Sequence, residues 1–235
     1  MKPTPLKLNL GAGYDWVPLE GWAKLDHNRG MLTARQAWNT GFPDKSFNTV
    51  FSSHMIEHIS HFKIEEVISE INRIMKPGGV LRLLTPNLKK LAEAYVRGDV
   101  QSMNTYIRED GSGIRQDLGL GQAFMSFLVS PGYDNFVCDS NLSSPLAGYA
   151  HLYSYDFEML SGLLARYGFH QISQPSVDES RIPEHRQLRN VPHDTDRHHS
   201  LVVECIKEKD VKFDPACAVL HSGPYRIADI GKQQQ

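Results

Sequence analysis

The stretch from Ile64 to Thr85 constrains this chain most. Ile64, Val67, Ile68, Ile71, Ile74 and Met75 fall on one helical stripe, with Glu65, Glu66 and Glu70 off it, so an amphipathic helix is expected. Pro77-Gly78-Gly79 stops it. Val80-Leu81-Arg82-Leu83-Leu84-Thr85 then forms a mostly apolar run of strand length, closed by Pro86, the pattern of a strand covered on both faces. A helix feeding directly into such a strand belongs to a layered α/β architecture.

The remaining segments extend that alternation. Leu6-Lys7-Leu8-Asn9-Leu10 alternates and meets Gly11-Ala12-Gly13, a strand entering a tight glycine turn. A short second strand is expected over 23–26. The intervening stretch 14–22, with Pro18 and Gly21, is shorter than the roughly dozen residues of an ordinary parallel crossover, so any helix there is short or missing. Phe47-Asn48-Thr49-Val50-Phe51-Ser52-Ser53 follows the turn signal Pro43-Asp44-Lys45-Ser46 and reads as a third strand. Leu88, Leu91, Ala92 and Tyr95 mark another helix ending at Gly98.

Periodicity weakens over 99–150, read as an insertion in which Leu120, Phe124, Phe127 and Leu128 line one short helix. It returns with Ser154 as the expected N-cap, Asp156 and Glu158 in the first turn, Phe157, Leu160, Leu163, Leu164 and Tyr167 on one face, and Gly168 as the stop. Two closing strands are expected over 172–177 and 201–206. The organisation is therefore a mainly parallel sheet with helices on both faces, in one domain over 1–208. It carries an inserted region (99–150) and a polar loop (178–200), and a tail (209–235) follows.

With 25 basic and 27 acidic residues the net charge is −2, so no overall field favours nucleic acid or an anionic membrane. No apolar run approaches the ~20 residues of a membrane span, and Met1-Lys2-Pro3-Thr4-Pro5 lacks a secretory apolar stretch, which leads us to expect a soluble cytoplasmic protein. Cys138, Cys205 and Cys217 fit reduced thiols.

In parallel α/β sheets ligands sit beyond the carboxyl ends of the strands. That rule gathers Gly11-Ala12-Gly13, Asp26, Ser53-His54 and Thr85-Pro86-Asn87 on one rim. Only Gly-x-Gly is present, because Trp16 occupies the place of the third glycine of a dinucleotide fingerprint. Asp26 is placed to accept the hydroxyls of a ribose, the alternative being a solvated strand-end carboxylate.

The motifs Lys7-Leu8-Asn9-Leu10-Gly11-Ala12-Gly13, Gly21-Trp22-Ala23-Lys24-Leu25-Asp26, Phe42-Pro43-Asp44-Lys45-Ser46-Phe47-Asn48-Thr49-Val50, Ser52-Ser53-His54-Met55-Ile56-Glu57-His58-Ile59, Met75-Lys76-Pro77-Gly78-Gly79-Val80-Leu81 and Tyr167-Gly168-Phe169 occur in order. In this the chain resembles class I S-adenosylmethionine-dependent methyltransferases of the type 11 branch, in a subgroup with a shortened first crossover. The resemblance implies S-adenosylmethionine as cofactor, S-adenosylhomocysteine as product, and no metal. It implies that Gly11 and Gly13 pass beneath the methionine part, that Asp26 binds the ribose, and that His27, Gln36, Ala37 and Trp38 flank the adenine. Ser53 and His54 would face the methyl group. Asn9, Gln36 and Asn48 stand where the family commonly has acids, which changes details of cofactor binding.

His54 is the first candidate for a general base, because imidazole titrates near neutrality, the alternative being a histidine held by backbone at the helix entry. His151, with Tyr153 two residues on, resembles the family's histidine before the last helix and is a second catalytic candidate. Tyr153, Phe124 and Phe127 are candidates for the acceptor pocket, with a small satellite core as the alternative for the aromatic insertion. His54-Met55-Ile56-Glu57-His58 also spells H-x-x-E-H, but it straddles a strand-to-helix turn, so zinc hydrolysis is not expected. The loop His193-Asp194-Thr195-Asp196-Arg197-His198-His199 has ligand residue types without recognised spacing. Arg181, Arg186, Arg189 and Arg197 suit either a solvated face or an anionic acceptor.

The function expected is methyl transfer to a small-molecule acceptor, oxygen before nitrogen, with no nucleic-acid or membrane partner. A protein or glycan acceptor, a binding module without activity, and a different reaction of the sulfonium are the alternatives.

Overall fold

A computed structural model of the chain describes residues 6–13, 16–26, 36–99, 119–129, 151–188 and 200–216. Six strands form one sheet: β1 (Lys7–Leu10), β2 (Trp22–Leu25), β3 (Phe47–Ser53), β4 (Met75–Pro86), β5 (Phe169–Ser173) and β6 (Ser200–Lys207), in the order β2-β1-β3-β4-β6-β5. The first four run parallel, and β6 is antiparallel to both β4 and β5. Among the described residues four α-helices accompany them: α1 (Ile64–Ile74), α2 (Leu88–Arg97), α3 (Leu120–Val129) and α4 (Phe157–Arg166).

The expected strand and helix sequence is present, with three corrections. Helix α1 ends at Ile74, ahead of Pro77-Gly78-Gly79, and Met75 opens β4 instead of closing the helix, because its backbone is already extended (φ −85°, ψ 147°) and pairs with Phe47. The N-cap of α4 is Asp156, whose carboxylate accepts from the Met159 N–H at 2.8 Å, and not Ser154, which lies two residues too early. The fifth strand covers Phe169–Ser173 instead of 172–177, because it enters the sheet directly after Gly168 and breaks before Pro175, which has no N–H for the ladder. Between β1 and β2 the described residues contain no helix, as the short crossover requires.

Strand alternation divides the core in two. Leu8, Leu10, Val50, Leu81, Leu83, Leu201, Val203 and Cys205 face α1 and α4, whose Ile64, Val67, Ile68, Ile71, Leu160 and Leu164 are buried against them. Trp22, Phe51, Leu84 and Val202 face the other way and are covered by Trp16, Val177, Ile182 and Leu188, the last in a 3-10 turn over His185–Leu188. Trp16, the residue standing in the third-glycine place, is thus a core plug.

The second face also holds an ion pair. Arg82 on β4 and Glu204 on β6 stand directly opposite, almost fully buried, with the guanidinium donating to the carboxylate at 2.7 Å. Arg82 also donates to the carbonyls of Glu179 and Val177, while Glu204 accepts from the Ser180 hydroxyl and the Arg181 N–H. These bonds fasten the polar segment after β5 across the sheet. On the α1 side, the fully buried Lys207 Nζ donates to the carbonyls of Asn72 and Met75 and to Asp210, satisfying acceptors at the carboxyl end of α1. Chain 209–213 has no periodicity, yet it is laid along α1: Asn72 bonds Lys209 and Val211, and Ser69 accepts from Phe213.

Because removing one partner strands a buried charge, Glu204→Leu is expected to lower stability by about 3–5 kcal/mol. Urea unfolding should show the double variant Arg82→Met/Glu204→Leu recovering a large part of that loss; no recovery would mean the surrounding hydrogen bonds, and not the pair, carry the stability.

Candidate active site

Strand order reverses at β1: its sequence neighbour β2 lies on one side and β3 on the other. The crevice beyond the carboxyl ends of β1 and β3 is the topological switch point, where open α/β sheets bind ligands. The turn after β1 and the segment after β3 meet there. Gly11, at φ +75°, has no room for a side chain, since a Cβ would stand 2.4 Å from Met55 Cγ. Gly13, at φ +72°, faces open space. The two glycines therefore serve different ends: Gly11 admits Met55, and Gly13 leaves backbone accessible.

Asp26 follows β2, and its Oδ2 accepts from the Gly13 N–H at 2.9 Å. That bond ties the carboxylate to the glycine turn and fixes its direction. Ser53 ends β3, and His54 follows in the left-handed region at φ +48°, with its N–H donating to the Leu84 carbonyl at 2.9 Å. A non-glycine residue held there stores strain that surrounding bonds must support.

Those bonds centre on Glu57, in a 3-10 turn over Ile56–His58, whose side chain is fully buried. One oxygen of its carboxylate lies 3.1 Å from His54 Nδ1, and the other accepts from the Thr85 hydroxyl at 3.1 Å. His54 Nε2 lies 3.3 Å from the Ser200 hydroxyl. Burial alone would push the Glu57 carboxyl up; the His54 hydrogen bond, with the charges of His54, His58 and His151, outweighs burial and lowers it from 4.5 to about 2. The Glu57 carbonyl accepts from the N–H groups of Leu152 and Tyr153, at 2.7 and 3.2 Å. This brings His151 to His58, ring centroids 4.9 Å apart. Tyr153 stacks on His61 and meets Tyr155 edge-on. Tyr155 is buried with its hydroxyl unpartnered among the described residues, and burial raises its pKa well above the phenolic value.

The structure thus brings Gly11, Gly13, Asp26, Ser53 and His54 to one crevice, and joins His151 and Tyr153 to it through Glu57. Other candidates lie elsewhere. Ala37 is buried in the α1-side core, and Trp38 packs at its edge beside a cavity of about 320 Å³ shared with Glu66, Glu70 and Arg73. Gln36 is exposed, bridged to Asn39. Phe124 stacks on Tyr95 where α3 packs against α2, in the satellite core formed with Leu91, Ala94 and Ala123. His27 and the side chain of Phe127 lie outside the described residues, as does the loop 189–199. Sequence reasoning missed Glu57, Ser200 and Tyr155 as parts of the rim. The signal available for Glu57 was its place in Glu57-His58, but only tertiary contacts show what its carboxylate holds.

Residues 20–83 match the family model for a methyltransferase domain, type 11. This stretch runs from β2 through β4 and includes Asp26, Ser53, His54 and Glu57, while the glycine turn lies just before it. The sheet is mostly parallel, has six strands among the described residues, and is flanked by helices. No curated protein matches the sequence. Among solved structures, the chain is similar to phosphoethanolamine N-methyltransferase 2 of Haemonchus contortus in complex with S-adenosyl-L-methionine, at 16% identity and TM-score 0.47, covering 89% of this chain and 50% of that one. The chain therefore spans about half the length of that enzyme. It is also similar to an S-adenosylmethionine-dependent methyltransferase of Mesorhizobium loti, at 13% identity and TM-score 0.47, covering 86% and 90%, and to one of Archaeoglobus fulgidus, at 16% identity and TM-score 0.43, covering 86% and 85%.

Two predictions follow the geometry. Gly11→Ala should destabilise the chain more than Gly13→Ala, since both pay the left-handed penalty of about 1–2 kcal/mol and only the first meets Met55; equal melting temperatures would refute the close approach. The folded-state value of Glu57 lies below its unfolded one, so its contribution to stability is complete above pH 4.5 and is lost as pH falls through about 2. Glu57→Gln should therefore cost a few kcal/mol at neutral pH, and its deficit against the parent should shrink on acidification in urea melts at stepped pH.

Proposed function

We propose that this chain transfers a methyl group from S-adenosylmethionine to a small-molecule acceptor, with oxygen favoured over nitrogen. The observation that carries the reading is the convergence of the Gly13 backbone, Asp26 and the His54–Glu57 pair on the switch-point crevice of a methyltransferase fold. When bound, the cofactor supplies an electrophilic methyl on a sulfonium. The chain's part is to align donor and acceptor and to handle one proton.

Asp26, aimed by the Gly13 N–H, fits the ribose hydroxyls, and the open face at Gly13 allows close passage of the methionine portion. A hydroxyl acceptor arrives protonated. The Glu57 carboxylate on Nδ1 of His54 favours the tautomer with that nitrogen protonated; Nε2, which faces the Ser200 hydroxyl at 3.3 Å, would then take the acceptor's proton by way of that hydroxyl, and Glu57 stabilises the imidazolium that results. A buried carboxylate behind an imidazole supports proton abstraction, which is why oxygen is favoured. His151, Tyr153 and Phe127 are proposed to shape the acceptor side, within one domain over 1–208.

Calorimetric titration with S-adenosylmethionine and S-adenosylhomocysteine tests the cofactor site, and Asp26→Ala should weaken the latter by about tenfold or more. Unchanged affinity would remove Asp26 from the site. His54→Ala should lower turnover by about 10²-fold while S-adenosylhomocysteine affinity holds; parental turnover would make His54 a structural residue. Binding without methyl transfer to any small acceptor would favour a protein or glycan acceptor, another reaction of the sulfonium, or a binding role.

A further inference from the structure

Three side chains outside the proposed proton-handling pair form a second constellation on the same rim. A carboxylate oxygen of Glu57 and one ring nitrogen each of His58 and His151 all lie within 4.8 Å of one another. Glu57 is fully buried, whereas His58 and His151 are half-buried, so the cluster has a closed carboxylate floor and two adjustable imidazoles. We propose that Glu57, His58 and His151 bind a divalent first-row transition cation such as Zn²⁺, with its remaining positions open to water or to an oxygen or nitrogen of the acceptor.

The donor set has the chemistry for this. Two imidazoles and one carboxylate suit zinc and its neighbours, while Mg²⁺ and Ca²⁺ prefer all-oxygen shells. Three protein ligands leave coordination positions free, the arrangement of sites that act on a bound molecule. Donors about 2.0–2.2 Å from an ion stand no more than about 4 Å apart, so capture needs only a small closing rotation of the two half-buried rings.

The surroundings orient the carboxylate and bring the third ligand to it. The Glu57 carboxylate has about four acceptor positions, of which His54 and Thr85 engage one on each oxygen, leaving capacity toward His58 and His151. Outer partners of this kind orient a ligating carboxylate. The pairing of distant ligands is built into the backbone, since the Glu57 carbonyl takes the N–H groups of Leu152 and Tyr153 and so fixes the chain next to His151. Glu57 thus holds the third ligand with its main chain while offering its own side chain. An ion here also explains why a carboxylate is buried beside two imidazoles.

The role of the ion rests on the methyltransferase reading, though its binding does not. An acceptor hydroxyl on an open position would be acidified, which eases loss of its proton. This cluster is not the H-x-x-E-H arrangement, because its second imidazole is His151 and not His54.

The test is equilibrium dialysis of the metal-stripped, untagged full chain against Zn²⁺, read by elemental analysis, with S-adenosylhomocysteine calorimetry on the same preparations. Micromolar binding of a single ion is expected, weakened by about tenfold or more in His58→Ala and in His151→Ala. His198→Ala/His199→Ala, in the separate histidine loop, should bind as the parent does. Circular dichroism checks that each variant is folded, and His151→Gln serves if alanine unfolds the chain. No saturable Zn²⁺ binding by the parent, or undiminished binding in the His58 and His151 variants, overturns the site. Loss of zinc with intact S-adenosylhomocysteine binding would leave the methyltransferase reading standing, while zinc binding without either cofactor form would do the reverse.

Discussion

The buried carboxylate of Glu57 is the interaction on which the functional end of this molecule depends. It sits just past β3, reaches Thr85 on β4 and His54 at the strand exit, and through its carbonyl holds the chain that leads into α4. A fully buried carboxylate survives only when ionised partners and hydrogen bonds replace water. Here His54 and His58 are its neighbours in sequence, while Thr85 and His151 come from distant segments, so keeping this one carboxylate ionised also ties the rim together.

The opposite part of the fold uses the same device for structural ends. Arg82 and Glu204 meet across β4 and β6 and recruit the segment after β5, while Lys207 satisfies the carbonyls at the end of α1 and anchors the chain beyond β6. Polar groups thus staple irregular chain onto a sheet whose regular residues are packed by apolar contact. The reversed strand β6 carries both staples, one on each face, which makes it the structural counterpart of the rim.

The rim has a functional logic that follows from its connections. Asp26 is aimed by the glycine turn, His54 by Glu57, and His151 by the Glu57 main chain, so the groups that would meet cofactor, proton and acceptor are all positioned before any ligand arrives. Such preorganisation is what alignment-driven chemistry needs. It also places the proposed cation within the same constellation, so acceptor binding and proton removal would share Glu57.

Much of this was legible from residue order alone. Helical and strand periodicities located α1, α2, α4 and the first four strands, and the motifs from Gly21 to Leu81 fall within the stretch 20–83 that matches a methyltransferase family model, because local patterns and short motifs are written in neighbouring residues. Where local signals competed, as between Ser154 and Asp156 at the start of α4, the chain settled on the residue whose side chain reached the third N–H. What only the tertiary structure decided was partnership between distant residues. Nothing near Glu57 indicates that it meets His151, nothing near Arg82 indicates Glu204, and nothing near Trp38 or Phe124 tells core from pocket. Hydrogen bonds and ion pairs across more than ninety residues leave no periodicity in the sequence, since they arise only when the sheet brings its strand ends together.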